Sequence, residues 1–433
     1  MDEEKNSVTD VPSIDELPSE EVHHHKVDGG VKAWMSIAGG WLVMFCVFGY
    51  GGAFGVFQDL YTREAGVSSS AVSWIGSTQT FLMTALSLPA GKLVDMGYSR
   101  HILIGGSVVY IISIFLLSIA DLSHYYQLFL AQGVGMGISG GFMYLPAIAL
   151  QTRHWKRRRA LAMGIVFTGS SIGGAVLPVM LNQLLHHQQL GFGWTVRASA
   201  FLVLGMLFLA NVLITPGPTP SRAECEPAAL APAAGLRNML KDAPFMIVVL
   251  GSFLANCGFY FPLFYIQLYS VFHGVSSSVA FYMVSILSFS STVGRLVASW
   301  SSDRIGVFNN YLPACFGTGI LLFAMLGTTS TTSIIVFSVL YGFISGAVAT
   351  LLAPLVAALT NDPSEIGTRM GVAYFVLAFA YLIGSPIAGA LLGTGSPQWW
   401  RAIVFSAVPT LAGTLCLAVA WVMMAKRQGT WWI

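Results

Sequence analysis

Twelve apolar runs, each 18 to 28 residues long, follow one another along this chain with polar breaks between them. They fall near 35–60, 72–91, 101–120, 125–150, 160–185, 197–214, 243–269, 279–300, 311–328, 332–359, 369–393 and 401–424. A helix rises about 1.5 Å per residue, so each run can cross a hydrocarbon layer roughly 30 Å thick. Lipid offers the backbone no hydrogen bonds, and runs of this length satisfy their own only as helices. Composition agrees, with 55% of residues hydrophobic and 9% charged; a soluble domain carries about a quarter of its residues as charge. The expected fold class is all-α integral membrane with twelve transmembrane helices. Small residues such as Gly133, Gly135, Gly137, Gly140 and Gly141 in the fourth run let helix backbones approach closely in lipid.

The positive charges set the orientation. With both ends inside, 17 of the 21 Lys and Arg fall in inner loops or tails, and only Arg63, Arg197 and Arg401 fall outside. The remaining one, Arg295, lies within the eighth run. Such a bias requires an even number of spans and cytoplasmic termini. Residues 1–34 read as a disordered acidic cytoplasmic tail that ends in an entry segment. Residues 35–214 and 243–424 hold six runs each, 215–242 is a cytoplasmic linker rich in proline, and 425–433 is a second cytoplasmic tail. The five cysteines stand singly, four of them in apolar runs, so neither a disulfide framework nor a metal site is expected. With no phosphate-binding glycine loop and no convergent catalytic constellation, neither an enzyme nor a cofactor is indicated.

The two halves echo each other. Gly91-Lys-Leu-Val-Asp95 after the second run has a counterpart in Ser299-Trp-Ser-Ser-Asp303-Arg304-Ile-Gly306 after the eighth. Two six-helix halves related by an axis along the membrane normal resemble the major facilitator superfamily. In that superfamily the loop after the second helix carries a Gly-x-Leu-x-Asp-Arg-x-Gly pattern. Gly91, Leu93 and Asp95 match it, with Met96 where the Arg would stand; the second copy keeps Asp303, Arg304 and Gly306. The resemblance implies two pseudo-symmetric bundles, with an acidic side chain near helix N-termini and a basic partner locking them together on the cytoplasmic side. Ordinary loop charges in solvated turns are the alternative.

Two further segments narrow the resemblance. Val27-Asp28-Gly29-Gly30-Val31-Lys32-Ala33-Trp34 is similar to the Asp-Gly-Gly-x-x-x-Trp entry signature of the monocarboxylate transporter family, fungal members included. Trp155-Lys156-Arg157-Arg158-Arg159-Ala160-Leu161-Ala162-Met163-Gly164, followed by Gly169-Ser170-Ser171-Ile172-Gly173, resembles that family's second signature. Asp28, Arg157 and Arg158 are thereby gating candidates beside Asp95, Asp303 and Arg304. The basic cluster equally suits anionic lipid headgroups at the inner surface, and Asp28 a simple helix cap.

Arg295 is the most informative single residue. An arginine at that depth is costly unless it faces a wet cavity, and a guanidinium there suits a carboxylate. The resemblance implies an Arg on the eighth helix that holds the substrate carboxylate; snorkelling to the inner headgroups is the alternative. The family's better-studied members pair this Arg with an Asp one turn earlier and carry a Lys in the first helix. Here Ser291 and the glycines Gly49, Gly51, Gly52 and Gly55 stand instead. Asp59, at the outer margin of the first run, is the one carboxylate in the spans, so proton coupling is left open between Asp59 and a proton travelling with the substrate. Tyr50, Asn256, Tyr260, Tyr341 and Tyr374 are further substrate-binding candidates, in spans one, seven, ten and eleven. Pro89, Pro146, Pro178, Pro354 and Pro386 mark expected kinks.

The expected function is secondary active or facilitative transport of a monocarboxylate or other small organic anion by alternating access, in the plasma membrane. The alternative is an efflux carrier for a secondary metabolite. Expected partners are that solute, lipid and possible protons, with no role for nucleic acid.

Overall fold

The computed structural model describes residues 29–64, 69–186, 191–217, 239–360, 362–393 and 397–431. Twelve helical rods run through these described residues. The first half holds α1 (Val31–Gly52, continued by Phe54–Glu64), α2 (Ser69–Ala85, continued by Ser87–Asp95) and α3 (Ser99–Ile119). It continues with α4 (Tyr125–His154), α5 (Arg159–His186) and α6 (Gly191–Leu213). The second half holds α7 (Ala243–Cys257, continued by Phe261–Phe272), α8 (Ser277–Ile305) and α9 (Val307–Ala324). It closes with α10 (Thr331–Ala358), α11 (Ile366–Leu392) and α12 (Trp399–Gln428).

Eleven stretches among the described residues are long and apolar enough to cross a membrane. The twelfth crossing is α2, less apolar because Gln79, Thr80 and Thr84 interrupt it; Gln79 and Thr84 are buried. Two of the three interrupted rods, α2 and α7, have a local cause in proline. Pro89 has no N–H for the Ala85 carbonyl, and α2 is broken at Leu86. Pro262 likewise cannot give Gly258 the regular helical bond, so its carbonyl accepts from Phe261 N–H at 3.1 Å instead, and α7 is broken over 258–260. In α4 the residues Phe129–Gly135 form a wider turn of π type, a local bulge that sequence periodicity does not reveal.

Large apolar side chains such as Phe208, Phe289 and Leu415 point outward with about 70% of their surface uncovered, as lipid-facing groups must. The interior is divided in an informative way. One cluster of buried apolar residues runs through both halves, from Ala33, Tyr144 and Phe167 to Leu351, Met370 and Met424. Two others are confined to single halves, one around Tyr50, Phe57 and Leu181, the other around Phe261, Tyr269 and Trp399. The shared cluster lies toward the face where α1 begins and α12 ends, here the terminal face. The halves are thus fused toward the terminal face and have separate cores toward the opposite one.

Close approach across the halves is set by glycine. A Cβ on Gly371 of α11 would stand 2.6 Å from the Ser87 carbonyl and 2.8 Å from Leu88 Cα on α2. Only a residue without a side chain lets these two backbones meet.

Candidate functional site

Arg295 lies on α8 with 9% of its surface exposed. Its Nη1 donates to the Phe167 carbonyl at 2.6 Å and to Ser170 Oγ, and its Nε reaches Ser291 Oγ at 3.3 Å. Phe167 and Ser170 belong to α5, in the other half. The guanidinium therefore points inward and across the interface, which removes the snorkelling alternative. Its partners are a carbonyl and hydroxyls, and no carboxylate among the described side chains pairs with it. The side chain of Asp59 lies outside the described residues. Four tyrosines, Tyr144, Tyr260, Tyr374 and Tyr381, stand within electrostatic reach of the guanidinium.

These residues line a central cavity between the halves. One wall comes from the first half: Phe48, Gly51 and Gly52 of α1, Thr80, Met83 and Thr84 of α2, Tyr144 of α4, and Phe167, Ser170 and Ser171 of α5. The facing wall includes Asn256, Phe259, Tyr260 and Phe264 of α7, Ser288, Ser291 and Arg295 of α8, and Tyr341, Tyr374 and Tyr381 of α10 and α11. Aromatic rings dominate. Tyr260 stacks on Phe264 at 5.5 Å and meets Tyr381 edge-on at 4.8 Å, while Tyr144 meets Tyr374 edge-on at 5.2 Å across the interface. The result is an apolar, aromatic chamber with one fixed cation and a scatter of hydroxyls.

The structure separates the candidate residues by what their polar atoms do. The Tyr374 hydroxyl is buried without a hydrogen bond; the Tyr144 hydroxyl approaches it without reaching hydrogen-bonding geometry. Tyr341 lines the chamber, but its hydroxyl donates to the Phe259 carbonyl at 2.8 Å and so braces the broken α7. Asn256 donates to the Ser252 carbonyl at 2.8 Å and accepts from Tyr381 at 3.4 Å. Tyr50 does not reach the chamber: it is fully buried against α6, its hydroxyl 2.9 Å from Ser199 Oγ. Successive helix positions turn by about 100°, so Tyr50 faces away from the stripe of Phe48, Gly51 and Gly52.

At the terminal face the two echoed segments do matching work. Asp95, at the end of α2, accepts from the backbone N–H groups of Gly367 (2.9 Å) and Thr368 (2.6 Å) and from Thr368 Oγ1 (2.6 Å), at the start of α11. Asp303, near the end of α8, accepts from the N–H groups of Ala160 (2.9 Å) and Leu161 (3.0 Å), at the start of α5. Each carboxylate thus caps a helix of the opposite half, where unpaired N–H groups and the helix dipole favour an anion. Arg153 stands within electrostatic reach of Asp95, and Arg158 and Arg159 of Asp303. Arg159 also donates to the Ala357 carbonyl of α10 at 3.2 Å. Arg304 is not one of these partners: its guanidinium lies 3.9 Å above the Trp300 ring, on the exposed side of α8. Arg157 and Arg158 are exposed in the turn before α5, and Asp28 lies outside the described residues.

A profile describing the Major Facilitator Superfamily matches residues 40–359. The chain belongs to the major facilitator superfamily. As a member it is a multi-pass membrane transporter, and the twelve rods, fused halves and central chamber are the form that transport takes in it. Several proteins of similar sequence are fungal. The aspyridones efflux protein apdF of Emericella nidulans is 38% identical over 84% of this chain and 73% of its own length. The MFS transporter asaE of Aspergillus flavus is 34% identical over 97% of this chain and 93% of its own length. The fujikurins efflux protein of Gibberella fujikuroi is 32% identical over 93% and 83%. The human organic anion transporter MFSD10 has a similar fold, with a TM-score of 0.66 at 16% identity over 89% of this chain and 98% of that one. The superfamily resemblance read from the sequence is thereby established, while these fungal relatives are efflux proteins and MFS transporters and not specifically monocarboxylate transporters.

Several chamber residues escaped the sequence reading, among them Tyr144, Tyr381, Phe259, Phe264, Ser170 and Ser288. A signal for some of them was present. Tyr374, Leu377 and Tyr381 share one stripe of α11, and Ser288, Ser291 and Arg295 one stripe of α8, at the spacing of a single helix face.

Proposed function

We propose that this major facilitator superfamily transporter exports a bulky, largely aromatic metabolite bearing an acidic group, by alternating access across the plasma membrane. The observation that carries the reading is a buried Arg295 without a carboxylate partner among the described residues, set in a chamber walled largely by aromatic rings from both halves. The relatives named for aspyridone and fujikurin efflux support export over uptake. The entry and basic signatures still support a carboxylate as the acidic group, in a larger molecule than the family's simple acids.

In this reading the terminal face is cytoplasmic, following the charge bias, and the exposed Lys156, Arg157 and Arg158 rest against anionic lipid. The fused terminal face and separate cores opposite then describe an outward-facing carrier. Asp95 and Asp303 hold it shut on the cytoplasmic side, and their release admits the next substrate.

Disrupting the gene in its host and comparing acidic metabolites inside and outside the cells tests the proposal. Retention of one aromatic acid, reversed by restoring the wild-type gene, is the expected result. An unchanged distribution of every acidic metabolite would reject export.

A further inference from the structure

Arg295 belongs to the second half, yet its Nη1 bonds both go to the first. The neighbouring hydroxyls repeat the pattern: Ser171 Oγ of α5 meets Ser291 Oγ of α8 at 3.5 Å. Together they tie α5 to α8 at mid-depth, one turn above the place where Gly164 of α5 packs on Ser299 of α8. The tie is made of weak acceptors for a cation. The Phe167 carbonyl is already shared with Ser170 Oγ at 2.9 Å, and the other acceptor is a neutral hydroxyl. No hydrogen bond of the Nη2 group is found among the described residues, and Arg295 lines the chamber. A carboxylate entering there offers charge-assisted, two-pronged bonds that outcompete both neutral acceptors.

Opening the terminal face requires α5 and α8 to part. In the empty carrier that movement strips Arg295 of its acceptors and leaves a bare cation in an apolar chamber, a costly state. With an anion bound, the guanidinium keeps its partner as the helices separate. In an export cycle this parting is the step by which the emptied carrier returns, since closing the terminal face only restores the two bonds.

We infer that Arg295 is a tether between the halves that a bound anion releases, which makes the carrier an anion exchanger. One organic anion leaves outward and a second anion, a small monovalent carboxylate or inorganic ion, rides back. The inference rests on the reading that Arg295 meets the substrate's acidic group, and it adds the coupling rule.

The test follows the terminal face directly. Ser299 is fully buried between α5 and α8, so Ser299→Cys, with the five native cysteines replaced, reports opening through its labelling by a hydrophilic maleimide. The full-length protein is held in nanodiscs in a zwitterionic buffer, with benzoate as the probe anion. The empty carrier should label slowly, and Arg295→Gln should label about tenfold or more faster without any anion, since each tenfold is about 1.4 kcal/mol of released barrier. Ser170→Ala, which keeps the arginine and removes one acceptor, should fall between. Benzoate should accelerate labelling of the carrier that retains Arg295 and leave Arg295→Gln unchanged. Equal labelling of the empty Ser299→Cys carrier with and without Arg295→Gln, or with and without Ser170→Ala, would overturn the tether. These comparisons need no native substrate, so loss of the export reading in whole cells leaves them decisive on their own.

Discussion

Replacing Asp95 with alanine should open the terminal face. The carboxylate accepts three hydrogen bonds from Gly367 and Thr368, two of them at 2.6 Å. A hydrogen bond to a charged group is worth roughly 1.5–3 kcal/mol net, and an anion at a helix N-terminus adds about 0.5–1 kcal/mol. Asp95 is half-buried, however, and dehydrating its charge offsets much of that sum. A net loss of about 3 kcal/mol for the closed state follows, or roughly a 100-fold shift in the closed-to-open ratio. Asp95→Asn keeps one acceptor oxygen and loses the charge, so its shift should be nearer tenfold. Distances between spin labels at Arg100 and Lys426, exposed positions on the terminal ends of α3 and α12, would measure the populations. An unchanged distance distribution in Asp95→Ala, with the protein still folded, would refute the idea that this contact holds the halves together. The corresponding change at Asp303, which accepts two longer bonds, should act in the same direction and less strongly.

Other substitutions separate packing from transport. Gly371→Ala puts a methyl group against the Ser87 carbonyl and Leu88 Cα and should destabilise the closed state by about 1–3 kcal/mol, read in the same distances. Gly105→Ala meets nothing within 4 Å and should leave the distances alone while raising the melting temperature slightly, since alanine suits a helix interior better. Tyr50→Phe breaks the buried bond to Ser199 and should cost about 1 kcal/mol of stability with no change in flux. Tyr374→Phe removes a hydroxyl that has no partner, so stability should hold while the flux of acids with additional acceptor oxygens falls by roughly three- to tenfold; thermal melts and vesicle uptake check both.

Much of this architecture was legible in the sequence because lipid imposes a blunt rule: a span must be apolar, helical and long enough. Arg295 stood out for the same reason, as a charge where charge is expensive. What was not legible is what depends on meetings between distant residues. Asp95 finds its N–H partners at Gly367 and Thr368, on the far side of the chain, and no local pattern names them. Arg304 read as a latch partner from its motif, yet stacking on Trp300 one turn earlier keeps it on the exposed side. Tyr50 was misplaced because a tyrosine in the first span carries no mark of which face it occupies, and its true neighbour is Ser199 on α6. The second run was legible as a span at 72–91, but nothing in it told that Thr80 and Thr84 face the chamber and not lipid.

The central claim is that an acidic solute crosses through the chamber by way of Arg295. Flux of an aromatic monocarboxylate into inside-out vesicles, measured for the wild type, Arg295→Ala and Tyr50→Phe at matched protein levels, tests it most directly. The account predicts saturable uptake by the wild type and Tyr50→Phe, and near-complete loss with Arg295→Ala. Uptake by Arg295→Ala equal to the wild type would contradict it.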